Sequence, residues 1–362
     1  MWISYFAARD FRNLAQANVD LGPGLNWLCG PNGMGKTNIL EAIYFTLTTK
    51  SFRTFRLGDL VGKGSAKAIV RLGLRDGAVT HECCAEIEAG RSRRLLGPKV
   101  CSPMDLFRLG PVIAFTARSK SLVEGQPSDR RRFLDRMICH IEPEHLYGLS
   151  RYKKVHRQLK QVLLTSKDFG VYRGFKRTAL GAARAIVAKR LAFLAEIQPR
   201  VQEIYQGVFE GEGTLALEYG MRRCPSLDQY EERMLAACAS EILHGRTLLG
   251  PHLDDLAIRM VKNRAKTYAS SGQVRAIVLS VKLAVRELVY ARRKNEPVLL
   301  LDDLDAELDM RRIEKLLAFL QDRGQTLIST SKYGTIRPRQ EDRIFAVEAG
   351  CMNPERMMND LK

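Results

Sequence analysis

The 362-residue sequence contains no run of about 18 consecutive apolar residues, so no segment is a candidate membrane-spanning helix. Its opening, MWISYFAARDF, lacks the succession of basic leader, apolar core and small-residue cleavage site that marks secretion. A cytoplasmic protein with no membrane partner is expected. The eight cysteines include no CxxC pair, and adjacent Cys83 and Cys84 suit neither a zinc site nor an easy disulfide. They read as reduced thiols that pack as small apolar residues. Six scattered histidines suggest no metal cage. Internal repeats, low-complexity tracts and sustained heptads are missing too, and the last of these absences excludes a long coiled coil.

What is abundant is positive charge. The formal net charge is +18, on an otherwise ordinary composition of 45% apolar and 27% charged residues. The excess is uneven: Arg118 to Arg200 holds 19 Lys and Arg against 7 Asp and Glu. Such a surplus favours a polyanionic partner, nucleic acid or an acidic membrane surface, over a merely soluble basic surface.

The chain changes character along its length. Its first part reads as strands, including a buried one at Leu25 to Cys29 after the Gly22-Pro23-Gly24 turn. A helix is expected over Asn38 to Leu47, an antiparallel meander over Gly58 to Leu96, and a short strand at Val112 to Phe115. From Ser128 to about Ala239 the sequence is rich in Arg, Lys, Leu and Ala and reads as helices. A strand-like segment at Leu256 to Lys262 is expected to return the chain to the first domain. After it come a helix (Gln273 to Arg293), a strand (Val298 to Leu301), a helix (Met310 to Leu320), a strand (Thr326 to Ser329) and a last strand (Arg343 to Glu348). The expected fold is α/β, with a head in two parts (1–120 and 244–362) and an inserted basic helical lobe (121–243).

The string Gly30-Pro31-Asn32-Gly33-Met34-Gly35-Lys36-Thr37 matches G-x-x-x-x-G-K-[ST] in full, between an apolar strand and an amphipathic helix. Glycines let backbone N–H groups curl around phosphate oxygens, and the helix N-terminus adds partial positive charge. All eight residues are therefore candidates to bind ATP. Lys36 is expected to reach the β- and γ-phosphates, and the Thr37 hydroxyl to ligate Mg²⁺.

Val298-Leu299-Leu300-Leu301 leads into Asp302-Asp303. Asp302 is the expected second Mg²⁺ residue, since a hard cation needs oxygen ligands. Asp303 stands where a base or water-positioning group belongs. Lys36 and Asp302 are 266 residues apart, so a large insertion is expected between two halves of one ATPase sheet.

Ser270-Ser271-Gly272-Gln273 begins 32 residues before Asp302 and opens a long amphipathic helix. It is a good N-cap. Between a phosphate loop and a metal strand it also looks like the signature motif of ABC-type ATPases, whose helix N-terminus points at ATP held by a second subunit. ATP would then join a head-to-tail pair, with Asp309 near the seam. In the basic lobe, Arg130, Arg131, Arg132, Lys153 and Lys154 are candidates to track DNA phosphates without reading bases, although Arg131 or Arg132 could instead pack against acids.

Several strings together resemble the RecF family: DFRNL (Asp10 to Leu14), GPNGMGKTNILEAIY (Gly30 to Tyr44), KSFRT (Lys50 to Thr54), PSDRRRFLD (Pro127 to Asp135), GPHLDDL (Gly250 to Leu256), SSGQVRAIVLSVKLA (Ser270 to Ala284) and LLLDDLDAELD (Leu299 to Asp309). The resemblance implies an ABC-type, SMC-related P-loop ATPase head with an inserted α-helical lobe and no coiled-coil arm. It implies ATP-dependent homodimerisation, slow ATP hydrolysis, and sequence-independent binding to duplex and gapped DNA. It implies work with RecO and RecR to load the recombinase RecA, in DNA replication, DNA damage repair and the SOS response. One segment departs from the family. Where Ser-Pro-Glu-Asp-Leu is usual, this chain has Thr116-Ala117-Arg118-Ser119-Lys120, which predicts weaker hydrolysis with ATP binding retained. The alternatives are another ABC- or SMC-type ATPase, such as a nuclease-associated head, and a DNA-binding module that has lost hydrolysis. A nuclease domain would need room that is not expected after Glu348.

Overall fold

The computed structural model describes residues 1–261, 263–332 and 338–354. The chain forms two units. The first comprises Met1–Lys120, Gly207–Glu210 and the described residues of Val285–Lys362; the second comprises Ser121–Gln206 and Gly211–Ala284.

The first unit is built on two six-stranded sheets. One is antiparallel, in the order Leu14–Asp20, Trp2–Phe11, Lys67–Asp76, Val79–Glu88, Arg91–Leu96 and Lys99–Val100. The other runs Cys351–Pro354, Arg343–Glu348, Leu25–Cys29, Thr326–Thr330, Val298–Leu301 and Val112–Phe115. Its strands are parallel except for the outermost, Cys351–Pro354. The continuous apolar runs VLLL and VIAF are buried along their full length, as strands covered on both faces must be. The helix Lys36–Thr48 packs against both sheets and is buried almost all round, so its apolar residues are not confined to one stripe. Arg343–Glu348 is not the last strand. Ala349 and Gly350, both at positive φ, turn the chain into the closing hairpin strand Cys351–Pro354.

The second unit holds the helices Pro127–Ile141, His145–Leu164 and Phe169–Gly207, the last only up to Gln206. Tyr152, Val155, Leu159 and Val162 bury one face of the middle helix at spacings of three and four, which leaves Lys153, Lys154 and Arg157 exposed. The unit is not purely helical. It also carries a three-stranded antiparallel sheet of Asn263–Arg264, Asp255–Met260 and Leu215–Gly220. This corrects the expected return to the head at Leu256, and residues 244–284 group with the second unit rather than the first. The physical reason lies in the strand's alternating burial, which suits a small sheet with one solvated face and not the doubly covered parallel sheet. Lys262, expected at its end, lies outside the described residues.

Candidate functional site

The loop from Gly30 to Gly35 joins the strand Leu25–Cys29 to the helix Lys36–Thr48. Gly30 has φ 149°, and a Cβ there would stand 2.5 Å from the Val347 carbonyl oxygen. Gly35, at φ 113°, would carry one 2.9 Å from Asn13 Oδ1. Only glycine lets the chain turn this closely between strand and helix. The helix N-terminus at the end of the loop supplies backbone N–H groups that have no intrahelical acceptor.

Lys36 curls back over the loop. Its Nζ donates to the carbonyls of Gly30 at 2.6 Å and Pro31 at 2.8 Å. Burial pulls its ammonium below the usual lysine range, and nearby Asp303, Asp305 and Asp302 oppose that shift. Thr37 Oγ1 donates to Asp302 Oδ1 at 2.8 Å, and Ser329 Oγ donates to the same oxygen at 2.9 Å.

Sheet register explains this convergence. Leu301 lies level with Phe115 on one side and Ile328 on the other, so Thr116, Asp302 and Ser329 emerge together at the carboxyl ends of parallel strands. Burial pushes the Asp302 carboxyl above the usual carboxylate range. The hydrogen bonds from Thr37 and Ser329 work against that, and Asp303 adds to it. A hydroxyl and a buried carboxylate in contact fit a hard divalent cation, whose charge would offset the cost of ionising Asp302. Asp303 has left-handed backbone (φ 57°), and its amide donates to Ser329 Oγ at 2.8 Å.

These groups face a cavity of about 500 Å³ lined by Asn32, Gly33, Gly35, Lys36, Thr37, Asp302 and Asp303, with Phe52, Arg53, Thr116, Ala117 and Arg118 also in its wall. Three residues of the stretch Thr116 to Lys120 thus border the cavity itself. Thr116 is buried and forms a turn with Ser119, while Arg118 is exposed.

A supporting shell escaped the motif reading. Glu41 is fully buried on the phosphate-loop helix. It takes two hydrogen bonds from Arg12, at 2.8 and 2.9 Å, and one from Ser51. Asn38 donates to Asn13 Oδ1 at 2.6 Å and accepts from Arg53. The strings around Arg12 and Arg53, quoted above only for their resemblance, therefore converge behind the loop. The available signal was an acid between Leu40 and Ala42 on a helix otherwise buried, because a buried carboxylate demands cationic or N–H partners.

Ser270, Ser271, Gly272 and Gln273 stand at the start of the helix Ser271–Arg293 in the second unit. Ser270 and Gln273 form a reciprocal capping box, with Gln273 Oε1 accepting from the Ser270 amide at 2.8 Å and Ser270 Oγ from the Gln273 amide at 3.3 Å. Ser270 and Ser271 are exposed. Asp309 caps the helix Met310–Leu320 by accepting from the Arg312 amide.

The basic candidates separate into two groups. Arg130 is buried and pairs with Asp255 through two hydrogen bonds, at 2.7 and 2.9 Å, so it is committed inside its own unit. Arg131 donates to the Asp254 carbonyl at 2.6 Å. Both guanidiniums are thus engaged within the second unit, Arg130 by a carboxylate and Arg131 by a backbone carbonyl. Arg132 is exposed and bridges to Asp129. Lys153 and Lys154 are exposed on the outer face of their helix.

The family model described as RecF/RecN/SMC N terminal domain matches residues 2–76. The DNA replication and repair protein RecF of Streptomyces avermitilis is 32% identical over 91% of this chain and 94% of its own length. The protein of the same name from Geobacter metallireducens is 33% identical over 93% and 94%. Among solved structures, the recombination mediator protein RecF with ATP, of the RecFOR pathway, superposes with a TM-score of 0.88 at 21% identity over 98% of each chain. An Smc head bound to the C-terminal winged-helix domain of ScpA gives 0.59 at 15%, over 99% of this chain and 98% of that one. The fold is therefore that of an ABC-type ATPase head, as found in RecF and SMC proteins. More particularly, the chain belongs to the RecF family of DNA replication and repair proteins.

Proposed function

We propose that the chain is an ATP-switched DNA-binding protein of recombinational repair and replication-fork maintenance. The observation that carries this reading is the contact of Thr37 with Asp302, beside buried Lys36, in a cavity about 500 Å³ in volume. The loop from Gly30 to Thr37 binds the ATP phosphates, with Lys36 at the β- and γ-positions. Thr37 and Asp302 would hold Mg²⁺, which would supply positive charge against the phosphate oxygens. Asp303 orients the attacking water. Hydrolysis is slow and stimulated by DNA.

The exposed N-terminus of the helix from Ser271 meets ATP bound by a second copy, so that ATP closes a head-to-tail homodimer. The dimer binds duplex and gapped DNA through phosphate contacts that include Lys153 and Lys154, and acts with RecO and RecR in loading recombinase on single strands. The RecFOR pathway of the structural relative supports that last assignment.

Sedimentation velocity with Mg²⁺, with and without ATP and gapped DNA, tests the switch. ATP should convert monomer to dimer, and Ser271→Arg should stay monomeric while binding ATP normally. Dimerisation of Ser271→Arg at wild-type concentrations would sink the head-to-tail scheme. A second reading, a DNA-binding module that dimerises but does not turn over, is favoured by Arg118 at the cavity wall. Absence of phosphate release from a dimer formed on DNA would select it.

A further inference from the structure

Lys36, Arg53 and Arg118 all line the cavity above the phosphate loop, but they are not equally engaged. Lys36 donates to the carbonyls of Gly30 and Pro31. Arg53 donates to Asn38 Oδ1 and stands 3.5 Å from the buried Glu41 carboxylate. Arg118 is exposed on the wall and, among the described residues, meets no hydrogen-bond or ion-pair partner. An exposed arginine is ordinarily a solvated one. What sets Arg118 apart is how its backbone is held.

The strand Val112–Phe115 is the edge of the parallel sheet beside Val298–Leu301, and the Asp302 amide donates to the Phe115 carbonyl at 2.8 Å. Thr116 follows and is buried. Its amide donates to Ser119 Oγ at 3.0 Å, and its carbonyl accepts from the Ser119 amide at 2.8 Å. These two bonds close a single tight turn over Arg118. The backbone of Arg118 is therefore tied to that of Asp302, and only its long side chain is free to swing.

Strand order decides which part of a nucleotide meets it. Outward from the loop, the strands are Leu25–Cys29, Thr326–Thr330, Val298–Leu301 and Val112–Phe115. The loop with Lys36 thus stands on one side of the cavity, Asp302 and Asp303 come next, and Arg118 lies past them. A cation held by Thr37 and Asp302 would bridge the β- and γ-phosphates. The group that lies past Asp302, away from the loop, is then the terminal phosphate.

We propose that Arg118 grips the γ-phosphate of ATP bound in its own subunit, and so makes the site distinguish ATP from ADP. A guanidinium offers a planar fork of N–H donors that matches two phosphate oxygens, and it stays charged at every working pH. ADP ends one phosphate short, and the side chain then stays in water as it does without nucleotide. A grip made equally in the ground state and the transition state adds affinity without adding rate. Arg118 therefore prolongs the ATP-bound state and does not speed its hydrolysis.

The proposal rests on the reading of the cavity as an ATP site, and the test separates the two. Calorimetric titrations with Mg²⁺ and a non-hydrolysable ATP analogue, or with Mg²⁺ and ADP, compare the full-length protein with Arg118→Ala. Both proteins also carry Ser271→Arg, so that contacts from a second copy do not enter. Arg118 is exposed, so the variant should fold, which circular dichroism checks. Arg118→Ala should weaken binding of the analogue at least about tenfold, the lower bound for losing a charge-assisted hydrogen bond, and leave ADP binding nearly unchanged. Equal affinity of the two proteins for the analogue overturns the proposal. So does an equal loss on ADP, which would mean that Arg118 shapes the cavity without touching the terminal phosphate. In both cases nucleotide binding by the protein that keeps Arg118 leaves the broader reading intact. Failure of that protein to bind either nucleotide overturns both.

Discussion

Thr37 and Asp302 lie at opposite ends of the sequence, yet the hydroxyl of one donates to the carboxylate of the other at 2.8 Å. The contact exists because the strand before the phosphate loop and the strand before Asp302 flank Thr326–Thr330 in one parallel sheet. It sets the candidate nucleotide site and leads to the first prediction.

Replacing Lys36 with Ala removes the cation nearest the loop and the two bonds that fold it over Gly30 and Pro31. Charge-assisted contacts of this kind contribute about 1.5–3 kcal/mol each, so affinity for a fluorescent ATP analogue should fall at least about tenfold. An unchanged titration would remove Lys36 from the site.

Arg130 and Lys154 should behave as opposites. Arg130→Ala leaves Asp255, itself a third exposed, without its bidentate partner and should lower stability by about 1.5–3 kcal/mol. Denaturant melts read this directly. Lys154→Ala should leave the melt unchanged and instead lower the slope of DNA affinity against salt by about 0.9 on duplex DNA.

Acid should destabilise the second unit earlier than carboxylate titration requires. His252 is bonded to Tyr152 at 2.7 Å and Thr247 at 2.9 Å, with the His156 ring 4.0 Å away. Burial first, then His156, Lys176, Arg131 and Lys160, depress His252 to about 2. Burial, then Lys160 and Lys176, depress His156 to about 4, with Glu241 opposing. Both are neutral when folded and take up protons only on unfolding. The stability they contribute is complete above the unfolded value near 6.5 and is lost as pH falls toward the folded values. Between pH 6.5 and 4 the slope should reach about 1.4 kcal/mol per pH unit for each ring, as one coupled pair. Thermal melts from pH 7 to 5 should show it, and His156→Phe should flatten it. A flat profile in wild type would contradict the burial of both rings.

Arg118 borders the candidate nucleotide cavity, and it and Ser119 stand where the resemblance implies two acids. Turnover should accordingly be lower than in relatives with those acids. The double change Arg118→Glu with Ser119→Asp should raise phosphate release by on the order of tenfold, about 1.4 kcal/mol in barrier. A steady-state assay at saturating ATP checks this, and an unaltered rate would separate the segment from hydrolysis.

Some of this molecule was legible in one dimension. The strands Val112–Phe115 and Val298–Leu301 and the helix Met310–Leu320 end where apolar runs and caps said they would, because those signals are local. The phosphate loop was legible for the same reason, since its glycines must sit beside each other in the chain. Leu215–Gly220 was hidden in a helix-rich stretch, because a short alternating strand gains its stability from a partner about 40 residues away. The arginine run at Arg130 read as a basic surface, because composition records charge but not the Asp255 carboxylate that the fold brings to it.

Sequence alone therefore determined the phosphate-loop motif, the basic character and the resemblance to a family, since spacing and residue type carry all three. Only tertiary structure decided which cations are engaged, as with Arg130 on Asp255, and which acids and arginines gather behind the loop, as with Glu41, Arg12 and Arg53. Pairing of charges across a fold depends on distance and burial in space, and neither is written in the order of residues.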